Sequence, residues 1–172
     1  MKFILCLFVS ILTIIPLQKK SLDKLIDPDK ITFTILYNEV SAHDSIISDQ
    51  GFSCLVEMPG YSILFDAGRI EEYLENNSRK IRINYHMVDF IFISHLHGDH
   101  VGGLPSIAEK CNQPVLYLPQ SFPKNQTEKG REYAADKLKK AEPHVSKIIN
   151  INSALKIDSY CFSTGPIENQ TN

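Results

Sequence analysis

The feature that most constrains the fold is an apolar run that ends directly in a cluster of histidines. Residues 88–94 read VDFIFIS, which is typical of a buried strand in a parallel sheet. The run leads into His95, His97 and His100, with Asp99 beside the last of them. Open α/β sheets place their sites on loops at the carboxyl ends of strands, because such loops are held by the sheet yet face solvent. The pattern therefore predicts an α/β fold with a polar site after this strand.

The residue types in this cluster indicate a metal site. Imidazole and carboxylate groups together suit zinc, iron and manganese. In an extended segment, side chains two residues apart point the same way, so His95 and His97 form one ligand pair. Gly98 permits a turn that brings Asp99 and His100 round as a second pair. We therefore expect the start of two adjacent sites for divalent ions, with zinc the first choice and iron or manganese the alternatives.

Paired metal ions indicate hydrolytic chemistry. Two ions about 3.5–4 Å apart lower the pKa of a shared water toward about 7, which yields hydroxide at neutral pH. That hydroxide attacks an ester, lactone, amide or phosphoester. Asp99 is the candidate catalytic residue, because it is placed to orient the water or to carry its proton to the leaving group. The alternative is a surface histidine patch, which the spacing and the preceding strand disfavour.

The motif HLHGDH at residues 95–100 resembles the signature of the metallo-β-lactamase superfamily. Upstream, residues 61–68 (YSILFDAG) resemble the strand and FDTG-type turn that precede this motif in the superfamily, with Ala67 in place of the usual threonine. Residues 31–105 are most similar to the dihydropterin-ribofuranosyl-aminobenzene-phosphate synthase-like branch. The GGLP segment at residues 102–105 also resembles the ribonuclease Z branch.

The resemblance implies an αββα sandwich, of which residues 28–172 supply only the N-terminal αβ half. Superfamily members take a third histidine, a bridging aspartate and a last histidine from the second half. After His100 this sequence offers only His144, for which a solvated loop position is the simpler interpretation. We therefore expect the front half of a longer enzyme, which needs the second half of the fold or a partner chain.

The resemblance also assigns roles to individual residues. It implies that His95 and His97 bind one metal ion and that Asp99 and His100 bind the other. It places Asp66 behind these ligands, where a hydrogen bond to the second ring nitrogen of a histidine would fix the tautomer and orientation of that ring. The alternative for Asp66 is an ordinary turn residue before a glycine.

Candidates for substrate contact are weaker. His43 and Asp44 follow the first predicted strand on a loop that could border the metal cleft, and a plain polar loop is the alternative. No spacing argument selects Tyr85, Phe122 or Asn125 as lining residues. The expected substrate is a small molecule.

The N-terminus carries an apolar stretch at residues 3–17, which is shorter than a membrane span. It predicts a signal peptide at residues 1–20 and hence an exported, periplasmic or extracellular protein. An uncleaved membrane anchor is the alternative, and we expect contact with a membrane only in that case.

The net charge and the cysteine content limit the partners and metal ligands that we expect. The net charge of −2 arises from interspersed charges of both signs, so we expect no nucleic-acid partner. Cys54, Cys111 and Cys161 form no C-x-x-C pattern and are more simply core thiols or a disulfide pair than metal ligands.

Periodicity and turn residues predict the remaining elements. Strands are expected at residues 31–37, 52–58, 61–65, 115–118 and 154–163, and helices at residues 70–77, 104–110 and 127–141.

The sequence thus predicts a metal-dependent hydrolase. A transferase of the pterin-phosphate branch would use the same ions but form a bond instead of hydrolysing one. A truncated, non-catalytic remnant that binds metal through the four ligands is the other alternative.

Overall fold

The protein is described from a computed structural model. The structure describes residues 30–41, 43–157 and 161–167. The predicted signal peptide or anchor lies outside these residues. Within the described ranges, no helix combines the length and the hydrophobicity needed to cross a membrane.

A six-stranded sheet forms the centre of the molecule, with its strands in chain order. They are β1 (Thr32–Tyr37), β2 (Ser53–Met58), β3 (Tyr61–Phe65), β4 (Phe90–Phe92), β5 (Val115–Pro119) and β6 (Lys147–Ile151). Strand β2 runs antiparallel to both β1 and β3, whereas β3 to β6 are parallel. The parallel strands therefore end at one common edge of the sheet. A separate antiparallel pair consists of β7 (Leu155–Lys156) and β8 (Phe162–Ser163).

Within the described residues, four helices accompany the sheet. They are α1 (Glu71–Lys80), α2 (Gly98–Val101), α3 (Leu104–Lys110) and α4 (Glu128–Ala141), with 3-10 turns at Tyr85–Met87 and Glu142–His144. Helix α4 begins after Thr127, whose side chain accepts a hydrogen bond from the Gly130 amide and so satisfies a free amide of the first turn. Helix α3 packs on α4, and α1 packs on β1.

One face of the sheet carries the hydrophobic core. Leu64, Ile91 and Leu116 lie opposite one another on β3, β4 and β5 and are completely buried. They belong to one cluster with Leu74 of α1 and Ile107 of α3. Burial of this face by the helices fixes the positions of the strand ends that carry the candidate site.

The opposite face of the sheet is aromatic. The rings of Phe65 and Phe92 stack at 5.6 Å, and those of Phe92 and Tyr117 stack at 6.0 Å. Toward the edge of this face, Phe33 and Ile35 of β1 are 68% and 49% exposed. The sheet is thus apolar on both faces, as the central strands of a sandwich are.

The predicted α/β class is confirmed, and so are most of the predicted elements. The single strand predicted at residues 154–163 is wrong, because the chain reverses within it. The Ile157 amide donates to the Cys161 carbonyl at 2.9 Å, and β7 and β8 pair with each other instead. Strand β6 was not predicted, because its two adjacent isoleucines obscure the alternation expected of a strand.

Candidate metal centre

The candidate site lies where the ends of β3 and β4 meet. Asp66 directly follows β3, and Ser94 lies two residues after β4. The Ser94 amide donates to Asp66 Oδ1 at 2.8 Å, and the Ser94 hydroxyl donates to Asp66 Oδ2 at 2.7 Å. These bonds join the two strand ends, so the turn after β3 and the histidine loop form one unit.

Asp66 is the most buried polar residue of this unit, with a side-chain exposure of 1%. Its φ of 57° lies in the left-handed region, which aspartate tolerates better than most residues. The same carboxylate accepts a hydrogen bond from Nδ1 of His100 at 2.7 Å. When Nδ1 of the neutral ring donates this hydrogen bond, the Nε2 atom of His100 carries a free lone pair.

The histidine rings lie side by side. The centroid of the His95 ring is 4.8 Å from that of His97 and 4.0 Å from that of His100. Nδ1 of His95 lies 3.0 Å from the hydroxyl of Ser94, which itself donates to Asp66. One buried carboxylate therefore orients His100 directly and His95 through a serine.

Asp99 and His100 are brought together by the short helix α2, which begins at Gly98, where we expected the chain to turn. The His100 amide donates to the His97 carbonyl at 3.1 Å, which begins the helical turn. His100 Nε2 then lies 3.8 Å from Asp99 Oδ2. A Cβ on Gly98 would lie 3.2 Å from Cε1 of Tyr133, so the tyrosine ring would have to shift slightly.

The backbone segments next to the histidine loop are closely packed against each other. A Cβ on Gly102 would lie 1.9 Å from the carbonyl oxygen of Arg69. The Gly102 amide donates to the Gly68 carbonyl, and the Ala67 amide donates to the His100 carbonyl, both at 2.8 Å. These contacts explain the glycine that follows the histidine motif, and they hold residues 66–70 against α2.

The two histidines next to Asp66 differ in their pKa shifts. Burial lowers the pKa of His100, but the hydrogen bond and charge of Asp66, together with the charge of Asp99, outweigh it, and the net pKa is raised. Burial also lowers the pKa of His95, and the neighbouring His100 and His97 lower it further. His95 is therefore held toward its neutral form, which is the form that binds metal ions.

The assignment of these side chains to two sites for divalent ions remains a prediction. Among the described residues, no three histidine, cysteine or acidic side chains are grouped to hold one ion. The predicted pairs, His95 with His97 and Asp99 with His100, each supply two donors, so each ion needs further ligands. The mixed imidazole and carboxylate donors suit zinc, iron or manganese.

His144 does not lie at the site. It ends a 3-10 turn before β6, and the nearby Ser146 amide donates to the Pro114 carbonyl that precedes β5. Since β5 and β6 are parallel, this position is at the amino edge of the sheet, opposite to the histidine loop.

The weak substrate candidates fall in different places. His43 and Asp44 are exposed, and Nδ1 of His43 accepts from the Ser45 amide within a local turn. Tyr85 is buried in the core against Ser78. Phe122 packs against the same core, while Asn125 lines a cavity beside the histidine loop.

Two cavities flank Gly98 and Asp99. The smaller, of about 320 Å³, is lined by Gln50, His97, Gly98, Asp99, Asn125, Gln126, Thr127 and Gly130. The larger, of about 660 Å³, is lined by Asp49, Gln50, Arg69, Ile70, Gly98, Asp99 and Tyr133. Asp99 borders both cavities, so a ligand in either one would lie next to it.

Four residues near the site were missed at the level of sequence: Ser94, Gln50, Arg69 and Tyr133. Ser94 directly precedes His95, and the need of a ligating histidine for a hydrogen-bonded partner could have identified it. The Gln50 side chain donates to Asp99 Oδ2 at 3.3 Å across a separation of 49 residues. No local pattern indicates such a distant contact.

Comparison with known proteins gives consistent results. The family model described as Anti-Pycsar protein Apyc1 matches residues 46–155. A ribonuclease Z of Nanoarchaeum equitans is 41% identical over 58 residues, covering 34% of this chain and 17% of that protein. The 7,8-dihydropterin-6-methyl-4-(beta-D-ribofuranosyl)-aminobenzene-5'-phosphate synthase of Methanocaldococcus jannaschii is 32% identical over 101 residues, covering 55% of this chain and 34% of that protein.

A solved structure of a putative metallo-beta-lactamase from Thermotoga maritima overlaps with a TM-score of 0.48 at 16% identity. The overlap covers 72% of this chain and 60% of that one. The chain thus spans less than two thirds of the length of each of these relatives.

Proposed function

Because the chain belongs to the Anti-Pycsar protein Apyc1 family and has the metallo-β-lactamase fold, we propose that it is a metal-dependent hydrolase of phosphoesters. In this proposal His95 and His97 hold one divalent ion, and Asp99 and His100 hold a second. Zinc is the first choice of metal, with iron or manganese as the alternatives.

The observation that carries the proposal is the hydrogen bond from His100 to the buried carboxylate of Asp66. It fixes the tautomer of His100 so that Nε2 offers a lone pair on the side where Asp99 lies. A surface histidine patch would not need a buried carboxylate, in a left-handed conformation, behind it.

Bound divalent ions would act as Lewis acids that polarise the scissile group and lower the pKa of water at the site. The residues of the chain would orient the reacting groups relative to these ions. Gln50 donates to Asp99 Oδ2 and thereby holds this carboxylate at the mouth of both cavities. There Asp99 can accept the proton of the attacking water and return it to the leaving group.

The phosphoester class is supported by the relatives. A segment of 58 residues is 41% identical to a ribonuclease Z, a kind of enzyme named for its action on RNA, whose linkages are phosphodiesters. The net charge of −2 favours a small phosphoester over RNA as the substrate of this proposal.

A transferase activity is the second candidate, because the longer of the two matches is to a synthase and covers 101 residues. The two candidates use the same ions and differ in product. A hydrolase releases an alcohol and a phosphate from its substrate with water alone. A transferase joins two substrates and releases little product when the second one is absent.

The test is hydrolysis of bis(p-nitrophenyl) phosphate by the purified protein after treatment with EDTA and then with Zn²⁺, Mn²⁺ or Fe²⁺. We expect turnover only with metal, and we expect the His97→Ala variant to lose it by at least about 100-fold, the scale on which loss of electrostatic stabilisation acts.

The matched control is His86→Ala, since His86 is an exposed histidine just before β4. It should retain the activity of the unaltered protein. No turnover with any of the three metals would contradict the hydrolase and would favour the transferase or a non-catalytic metal-binding protein. Equal loss in both variants would show that the activity does not depend on the proposed site.

A further inference from the structure

We propose that Arg69 is the specificity-determining residue that binds the anionic group of the substrate in the larger cavity beside Asp99. This inference rests on the proposed function, because it assumes that the substrate is a phosphoester. It assigns to Arg69 a preference for anionic over neutral esters.

The first argument is position. Arg69 lines the cavity of about 660 Å³ together with Gly98 and Asp99 of the candidate site. The same space is lined by Tyr133, whose ring lies next to Gly98. A substrate that reaches Asp99 through this cavity would therefore lie beside Arg69.

The second argument is availability. Arg69 is exposed, and in the part of the chain that the structure describes its guanidinium has neither an ion-pair nor a hydrogen-bond partner. The nearby carboxylates have other contacts. Asp49 accepts a hydrogen bond from the Tyr37 hydroxyl at 3.0 Å, and Asp99 accepts one from Gln50. The guanidinium is thus free to bind a ligand.

The third argument is that the backbone at Arg69 is held in place by its neighbours. The carbonyl of Arg69 packs directly against Gly102, and the Gly102 amide bonds to the Gly68 carbonyl. On the other side, the Ile70 amide donates to the Tyr37 hydroxyl at 3.2 Å. Arg69 is therefore presented at a set position relative to the histidines, as a residue that positions a substrate must be.

The chemistry of the side chain supplies the ligand class. A guanidinium offers parallel N–H donors in a planar fork, which matches two oxygens of a phosphate or phosphoester. A neutral carboxylic ester offers no such charge. Loss of the guanidinium should therefore weaken anionic substrates selectively.

The test compares Arg69→Met with the unaltered protein on two chromogenic substrates, the anion bis(p-nitrophenyl) phosphate and the neutral p-nitrophenyl acetate. A hydrogen bond between charged groups corresponds to about 10-fold or more in affinity, so we expect KM for the phosphodiester to rise at least about 10-fold while kcat changes less. KM for the acetate should stay unchanged, and Arg69→Lys should recover part of the loss.

The matched control is Arg79→Met, since Arg79 is exposed on α1 and does not line either cavity. It should behave like the unaltered protein. Far-ultraviolet circular dichroism and the melting temperature check that Arg69→Met is folded, and Arg69→Gln is the second variant should methionine promote aggregation.

The binding of inorganic phosphate, measured by calorimetry, separates failure of this inference from failure of the proposed function. If the protein hydrolyses the phosphodiester but Arg69→Met leaves its KM unchanged, the role of Arg69 is wrong and the hydrolase stands. If the protein hydrolyses nothing, the hydrolase is wrong, and weaker phosphate binding by Arg69→Met still supports an anion site. Equal phosphate affinity in both proteins would overturn that site as well.

Discussion

The two sides of the candidate site are built differently. On the buried side, Asp66 is 1% exposed and accepts three hydrogen bonds, two from Ser94 and one from His100. On the open side, Asp99 is 21% exposed, accepts one hydrogen bond of 3.3 Å from Gln50 and borders both cavities. The comparison teaches that the carboxylate that orients the histidines is buried and held by several hydrogen bonds. The carboxylate at the cavities is more exposed and held by one.

The largest effect is expected on stability, when one methyl group is added on each side of the site. Gly102→Ala would place Cβ 1.9 Å from the Arg69 carbonyl oxygen, so the backbone must shift. Overpacking of this kind costs about 3 kcal/mol, and we expect the free energy of unfolding to fall by at least that amount in chemical denaturation. The melting temperature should fall with it.

Gly98→Ala is the matched control, because Gly98 begins the same short helix. Its Cβ would lie 3.2 Å from Cε1 of Tyr133, a side chain that is 41% exposed and free to move. Alanine also favours a helix by about 1 kcal/mol over glycine, so the net change should be close to zero. Equal destabilisation by the two variants would contradict the difference between the two sides.

An intermediate effect is expected from Asp66→Asn, which keeps the size of the side chain and tolerates its positive φ. Asparagine has one acceptor oxygen where aspartate has two, so it loses either the bond from the Ser94 amide or the bonds from His100 and the Ser94 hydroxyl. If His100 adopts the other tautomer, its Nε2 atom carries a proton and cannot bind a metal ion. We expect zinc affinity, measured by competition with a chromophoric chelator, to fall about 10- to 100-fold.

Asp136→Asn is the control for this charge change, since Asp136 lies on the exposed face of α4 and pairs with Lys140. It should leave zinc affinity unchanged. Unaltered affinity in Asp66→Asn would mean that the carboxylate is only a turn residue.

The smallest effect is expected from Ser94→Ala, which removes the hydroxyl between Asp66 and His95 but keeps the backbone bond to Asp66. A hydrogen bond of this kind contributes about 1 kcal/mol, and zinc affinity should fall less than in Asp66→Asn. The double variant tests whether the two residues act together, because coupled residues give less than the sum of the single effects. Strict additivity would contradict a shared role.

Much of the fold followed from local patterns. Alternation predicted β1, turn residues predicted the hairpin of β2 and β3, and an apolar run predicted β4. The reversal between β7 and β8 was not, since it depends on a hydrogen bond between Ile157 and Cys161 that competes with a continuous strand. The contact of Tyr133 with Gly98 was not predicted, because Tyr133 lies on a helix that is distant in the sequence.

The sequence alone determined the α/β class and the candidate ligands, because the histidines and Asp99 lie close together in the sequence and their spacing can be read directly from it. Tertiary structure decided which groups orient those ligands. Asp66 meets His100 across 34 residues, and Gln50 meets Asp99 across 49. The physical reason is that the ends of parallel strands converge only after the helices have covered one face of the sheet. That convergence also brought Arg69 and Tyr133 to one cavity, where no sequence pattern connects them.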